Sequence, residues 1–301
     1  LRLCGERFFC SIAREIIMTS RQGVLYVVAT PIGNLRDMSE RAIATLKGVA
    51  RIAAEDTRHS ARLLAHFGIH TPMVAVHEHN ERELIPQLLE RLAAGDDLAL
   101  ISDAGTPLIS DPGFCLVRAA RSAGYRVVPV PGPVAAIAAL SAGGLPVDHF
   151  VFEGFLPARS TARCKRLEAL RGEDRTLVFY ESSHRIVECL ADMAEVFGAD
   201  RSAVIARELT KLYETIESGS LGTLLAWLRD DPDQRKGEFV VLVQGAAPAG
   251  DDALDASARQ TLEVLVAELP LKQAVALAAK ITGVSRNALY AQALALKQET
   301  S

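Results

Sequence analysis

From residue 23 onward, short apolar runs alternate with amphipathic stretches. The runs at 25–30, 51–54, 98–102 and 127–130 are bounded by turn residues and too short for buried helices, so they read as strands. Between them, apolar positions recur at helical spacing over 58–67, 81–94 and 112–123. Ser39 precedes another helix reaching about Lys47, with Glu40 in its first turn; a hydroxyl cap and a negative charge both favour a helix start. Gly68 and Gly124 close two of these helices, and a helix of small residues follows Pro131-Gly132-Pro133, ending near Gly143-Gly144. Strands alternating with helices predict an α/β domain with a largely parallel sheet over residues 21–145.

Leu145-Pro146 breaks the pattern and marks a boundary. A second α/β set is expected over 146–246, with strands at 151–153, 176–180, 204–207, 213–217 and 239–243. Its helices fall at 160–170, 184–197 and 221–228, and its consecutive later strands suggest an α+β arrangement. Residues 246–255 read as a linker of Ala, Pro, Gly and Asp. The region 252–301 then reads as wholly helical, with helices at 256–268, 271–281 and 285–297. Residues 1–20 are expected to be an N-terminal extension, disordered or not native, with Met18 near the natural start; Arg7, Arg14 and Glu15 interrupt any signal-peptide core.

With 301 residues, 49% hydrophobic and 23% charged, the chain can bury a core without disulfide or metal staples. A net charge of −4 excludes a uniformly basic nucleic-acid binder but leaves room for local basic patches. No uninterrupted apolar run is long enough to predict a membrane-spanning helix. Cys4, Cys10, Cys115, Cys164 and Cys189 are scattered without a C-x-x-C pair, which predicts reduced thiols in a cytoplasmic protein. His77-Glu78-His79 holds the only close histidine pair; neighbouring side chains point apart, so no metal site is expected.

The chain lacks the glycine fingerprints of dinucleotide and P-loop sites, and the G-x-S-x-G elbow. Three other glycine/proline turns follow predicted strands: 30–35, 102–113 and 129–133. In a parallel sheet, loops at the carboxyl ends of strands form the ligand crevice, and glycine there exposes bare backbone. None of the three carries a lysine, so a neutral or cationic ligand with an adenine face suits them better than a polyphosphate.

ATPIGNL at 29–35, AAEDTRHSARLL at 53–64, ISDAGTPLISDPG at 101–113 and PVPGPVAA at 129–136 together resemble the tetrapyrrole methylase superfamily. EGFLP at 153–157, FYESSHRI at 179–186 and RELTKLYE at 207–214 extend the likeness, which covers about residues 23–245. Within the superfamily the chain is similar to the branch that methylates a cytidine 2′-oxygen in the decoding region of bacterial 16S rRNA, and its tail resembles that branch's appended helical domain. The resemblance implies a two-domain α/β fold with a C-terminal helix-turn-helix-like domain, a homodimer, and S-adenosylmethionine bound between the two α/β domains. It places Ala104, Gly105, Thr106, Ile109, Val134 and Ala135 on the cofactor, with Glu181 and Leu209 opposite and Pro31 beneath. Where the superfamily usually reads G-D-P, this chain reads Gly105-Thr106-Pro107; losing that carboxylate fits the RNA-modifying branch.

Methyl transfer to a ribose hydroxyl gains from a base and from alignment of the reacting atoms. Glu55, Asp56, Arg58 and His59 follow one strand; Glu181, His184 and Arg185 follow another; Arg207, Glu208 and Lys211 form a third group. Asp56 or His59 is expected to assist proton removal, with Arg58 positioning substrate and Glu181 and His184 as further catalytic candidates. The first group also has the composition of an ordinary helix start. His77 and Asn80 either line the same pocket or begin a helix.

Two basic patches are candidate RNA contacts. Arg159, Arg163 and Arg166 share helical spacing, and Arg185, Arg207 and Lys211 could hold phosphates beside them. In the tail, Lys272, Lys280, Arg286 and Lys297 stand without an acid between 269 and 298, and a turn at 282–284 joins two helices as in a helix-turn-helix. Its second helix would present Arg286, Asn287 and Tyr290. Two other functions share these features: a small-molecule, tetrapyrrole-type methyltransferase, and a non-catalytic RNA-binding assembly factor.

Overall fold

The computed structural model describes residues 21–77, 79–247 and 256–299. The extension 1–20 with Cys4 and Cys10, Glu78, and most of the linker lie outside the described residues. Among those described, no helix is long and apolar enough to cross a membrane.

Five strands form the first sheet: β1 (Val24–Val28), β2 (Arg51–Ala54), β3 (Met73–Ala75), β4 (Leu98–Ile101) and β5 (Arg126–Val130). Their order is β3-β2-β4-β1-β5, and every pair is parallel. α1 (Glu40–Gly48) and α2 (Thr57–His66) cover one face, where Leu46 and Leu64 pack on Ile52 and Ile101. α3 (Glu81–Ala93) and α4 (Phe114–Ser122) cover the other, where Leu92 and Leu116 pack on Leu25 and Leu100. The crossovers reverse direction between β4 and β1, which opens a crevice beyond the carboxyl ends of those two strands. Ser39 caps α1 by accepting the Ala42 N–H, as its position before the apolar period predicts.

The second sheet holds β6 (Phe150–Phe155), β7 (Thr176–Ser182), β8 (Ser202–Arg207), β9 (Thr215–Ser220) and β10 (Glu238–Val243), in the order β6-β7-β10-β8-β9. Only β6 and β7 run parallel; the remaining pairs are antiparallel. Alternate residues of its strands face opposite cores. Leu177 and Phe179 meet α6 (Ser160–Leu170), α7 (Ile186–Phe197) and α8 (Leu221–Asp230). Val178, Val204 and Val240 instead meet α5 (Ala135–Gly143), the small-residue helix that leaves the first sheet. Small side chains on α5 permit that approach: a Cβ on Gly143 would stand 2.6 Å from Leu242.

Both sheets belong to one compact unit, and the described residues from 245 onward with 172–175 form another. In the latter, α9 (Ala256–Glu268), α10 (Leu271–Thr282) and α11 (Arg286–Glu299) bury Leu262, Val275, Ala278, Leu289 and Ala293 together. Gly283, at φ +74°, turns the chain after α10, and the Ser285 hydroxyl accepts the Ala288 N–H at the start of α11.

Candidate active site

Three loops at the carboxyl end of the first sheet are stitched together through backbone. Thr30 and Gly105 exchange N–H to carbonyl bonds of 2.8 and 3.1 Å, and the Ala29 N–H reaches the Val130 carbonyl. The Thr106 hydroxyl donates to the Pro133 carbonyl at 3.1 Å. Glycine is required at 105: its φ is +82°, and a Cβ would press to 3.2 Å from Ile32. The loop after β2 joins them, since Asp103 accepts the Asp56 N–H at 3.1 Å and Glu55 accepts the Asp103 N–H at 3.4 Å.

These loops face the second sheet across a cavity of about 370 Å³, within the range of small-ligand sites. Ala104, Gly105, Thr106, Ile109, Val134 and Ala135 line it from one side, and Glu181 and Leu209 from the other. Pro31 does not line it; its neighbour Ile32 does. Tyr180 ties the two sides together, its hydroxyl accepting the Ala136 N–H at 3.1 Å. Left-handed backbone occurs at lining residue Ser110 (φ 69°) and at the sequence neighbours of lining residues Ile109 and Leu209: Leu108 at 75°, Glu208 at 52° and Thr210 at 67°. Such backbone persists only where its surroundings hold it, and it clusters at working sites.

The cavity also holds acids that the motif reading left without a role. Asp103, Asp111 and Glu238 line it beside Glu55 and Glu181. Burial, together with the negative charges of Glu55 and Asp103, pushes the Asp111 carboxyl up to about 6, against the opposing influence of the nearby Ser102 hydroxyl. The sequence signal was the acid-rich loop 101–113 itself, read there for its glycines and prolines.

Asp56, Arg58 and His59 stand outside the lining. Asp56 caps α2, its carboxylate accepting the Arg58 and His59 N–H groups, and those bonds with the Arg58 guanidinium hold its pKa below the usual value. The helix-start reading of this group therefore describes its geometry, with Arg58 and His59 exposed. His184 is exposed as well, and His77 and Asn80 form a turn in which Asn80 accepts the His77 N–H.

Several expected RNA contacts are internal. Arg163 is 1% exposed, bonded to Asp192 at 2.6 Å and to the Ala158 carbonyl, so it shares no solvent face with Arg159 and Arg166. The departure has a simple cause: Leu167 and Leu170 of α6 bury the face on which Arg163 lies. Arg207, also buried, donates to the carbonyls of Asp233, Lys236 and Tyr213 and so clasps the loops around it. Arg185 donates to the Leu156 and Pro157 carbonyls and lies 3.2 Å from Glu181, misaligned for a hydrogen bond but close enough to pair in charge. Lys211 is held by Glu208 and Glu238. Arg166 forks onto Glu153 with two bonds of 2.8 Å. Arg159, and Arg286 with Asn287 and Tyr290 in the tail, are exposed.

A doubly covered parallel sheet joined to a mixed sheet, with a partly open small-ligand cavity at the strand ends, defines an α/β enzyme scaffold. The profile of tetrapyrrole (corrin/porphyrin) methylases matches residues 24–225, and that of the RsmI C-terminal HTH domain matches residues 252–297. Ribosomal RNA small subunit methyltransferase I of Pseudomonas aeruginosa is 61% identical over 90% of this chain and 97% of its own. The protein of the same name from Escherichia coli O157:H7 is 56% identical over 91% and 95%. The crystal structure of uroporphyrin-III-C-methyltransferase from Thermus thermophilus superposes with a TM-score of 0.53 at 21% identity, covering 74% of this chain and 94% of that one. The chain belongs to the tetrapyrrole methylase family, in the branch of the ribosomal RNA small subunit methyltransferase I proteins.

Proposed function

We propose that the protein transfers a methyl group from S-adenosylmethionine to the 2′-oxygen of a cytidine ribose in the decoding region of bacterial 16S rRNA. In this reading it acts in the cytoplasm, as a homodimer, on the small ribosomal subunit. The observation that carries the cofactor is the cavity's composition: among the described residues, five acids (Glu55, Asp103, Asp111, Glu181, Glu238) and no lysine or arginine line it. Such a site disfavours polyphosphates and suits a cation. The apolar side chains of Ile32, Ile109, Val134, Ala135 and Leu209 fit an adenine, and the open backbone at 104–106 can approach it closely. When bound, the cofactor supplies an electrophilic methyl group on a positively charged sulfur. The chain's part is to align the acceptor oxygen, exclude water and receive the hydroxyl proton.

The name and close identity of the relatives support rRNA as acceptor, and exposed Arg159 and Arg286 are free to meet phosphate. Incubating the protein with radiolabelled S-adenosylmethionine tests the reading, with small subunits from a strain lacking the protein and a tetrapyrrole precursor as parallel acceptors. Label recovered as 2′-O-methylcytidine is expected. Label on the tetrapyrrole instead refutes the RNA acceptor, and RNA binding without label anywhere returns the protein to an assembly role.

A further inference from the structure

The methyl-transfer reading leaves open which group receives the hydroxyl proton, and the five cavity acids differ in what already occupies them. Glu55 accepts the Asp103 N–H, and Asp103 accepts the Asp56 N–H. Glu181 accepts the Ser182 N–H at 2.8 Å and lies against Arg185; Glu238 accepts the Lys211 ammonium at 2.9 Å. Among the described residues, Asp111 is the one cavity acid whose carboxylate is engaged by neither a backbone N–H nor a cation; the Ser102 hydroxyl lies near it but donates to the Ala104 carbonyl at 3.3 Å. Its loop is set firmly in place. Leu108 and Ser110 hold left-handed backbone, and Ser110 packs so closely on Gly154 of β6 that a Cβ there would come within 2.8 Å of its hydroxyl.

Resting on the methyl-transfer reading, we infer that Asp111 is the proton acceptor for the ribose hydroxyl. As the hydroxyl oxygen bonds to the methyl carbon, the carbon–sulfur bond breaks with its electron pair left on sulfur, and the hydroxyl proton passes to a carboxylate oxygen of Asp111. Solvent then takes the proton. The groups around the carboxyl suit that task. Glu55 and Asp103 in the first half raise its affinity for a proton, and no cation among the lining residues opposes them. Across the cavity stand Glu181, Glu238 and Tyr180, whose own phenol is pushed up by burial and then by the Asp111 charge. A base near neutrality transfers protons best, and a positive ligand beside it favours the charged, working form.

Asp111→Asn tests this with small subunits as acceptor and calorimetric titration of S-adenosylmethionine. The variant is expected to bind cofactor within about threefold of the parent while methyl transfer falls by about a hundredfold or more. The parent's rate should rise with pH as Asp111 ionises, and the variant should lose that limb. At pH 6, cofactor binding should release protons in the parent, read from heats in two buffers of different ionisation enthalpy; the variant should not. Asp111→Glu, which keeps the charge, should recover part of the rate. Full transfer by Asp111→Asn overturns the inference, and so does a loss confined to cofactor affinity, which would make Asp111 a ligand contact. A parent inactive on subunits sinks the methyl-transfer reading itself.

Discussion

After β2 the chain reads Glu55-Asp56-Thr57-Arg58-His59, and at the end of β7 it reads Glu181-Ser182-Ser183-His184-Arg185. Acid, arginine and histidine stand close together in both, yet the outcomes differ. In the first group the Arg58 side chain is 92% exposed and Asp56 serves a helix end. In the second, Glu181 is sealed and Arg185 is spent on Glu181 and two carbonyls of the loop after β6. Strand pairing makes the difference. β2 stops at Ala54, before its acids, whereas β7 continues through Ser182, where Glu181 pairs with Phe239 and Ser182 with Glu238 of β10. A carboxylate carried inside a sheet must find a partner or lose its charge; one beyond the last ladder position can stay hydrated.

Variants can break this comparison at several points. The largest effect is expected from Arg163→Ala, which leaves Asp192 with the Ser160 hydroxyl but no charge partner, frees the Ala158 carbonyl of its donor, and should cost about 3–5 kcal/mol in urea unfolding. Arg185→Ala should follow at about 2–3 kcal/mol, because it leaves the sealed Glu181 without its charge partner. Arg58→Ala, from the equivalent group, should stay within about 0.5 kcal/mol of the parent. Equal losses for Arg185 and Arg58 would remove the distinction between the two strand ends.

Most of the scaffold was legible from the chain because strands buried on both faces read as continuous apolar runs and helices carried caps and glycine stops. The helices at 160–170 and 256–268 occur over those same residues. β3 was missed since Met73–Ala75 is only three residues long and half-buried. The helix expected from 112 begins at Phe114, because left-handed Ser110 and Gly113 keep the loop open until then. The strand expected from 213 begins at Thr215 for a similar reason, after a turn held by left-handed Glu208 and Thr210. The motifs hold most of the cavity lining, yet spacing alone does not separate a carboxylate that lines it, such as Asp111, from one that caps a helix outside it, such as Asp56. That separation depends on which carboxylate is already bonded, a property of loops meeting in space. Arg163 was misplaced on similar grounds, since helical periodicity shows which residues share a face but not whether an acid waits beneath it.

A smaller effect sharpens the contrast among the acids. Asp111 holds its proton more tightly folded than unfolded, so its contribution to stability is fully present below its ordinary pKa near 3.8 and is lost as pH rises through about 6. Above that, the charged group opposes folding. Asp111→Asn should therefore be more stable than the parent at pH 8, by about 1 kcal/mol once solvent screening of this partly open site is allowed for, and the gap should close toward pH 4. Asp56 runs the other way. Its lowered pKa means stability present above its ordinary value and lost in acid, so Asp56→Asn should weaken the fold at pH 8 and converge with the parent as pH falls.

The smallest expected effects concern RNA affinity, and there the division is between free and occupied arginines. Arg159 and Arg286 have exposed side chains without an ion-pair partner among the described residues, so each can displace a counterion from phosphate. Replacing either with Ala should weaken subunit binding a few-fold and lower the slope of log affinity against log salt by about 1. Arg166 is half-exposed too, but it is forked onto Glu153, a carboxylate with only 10% of its side chain exposed. Meeting phosphate would require breaking two charge-assisted bonds and leaving that acid poorly hydrated, so Arg166→Ala should change the slope little. A full unit lost at Arg166 would mean that the fork opens on RNA and that pairing in the free protein is no guide to contact.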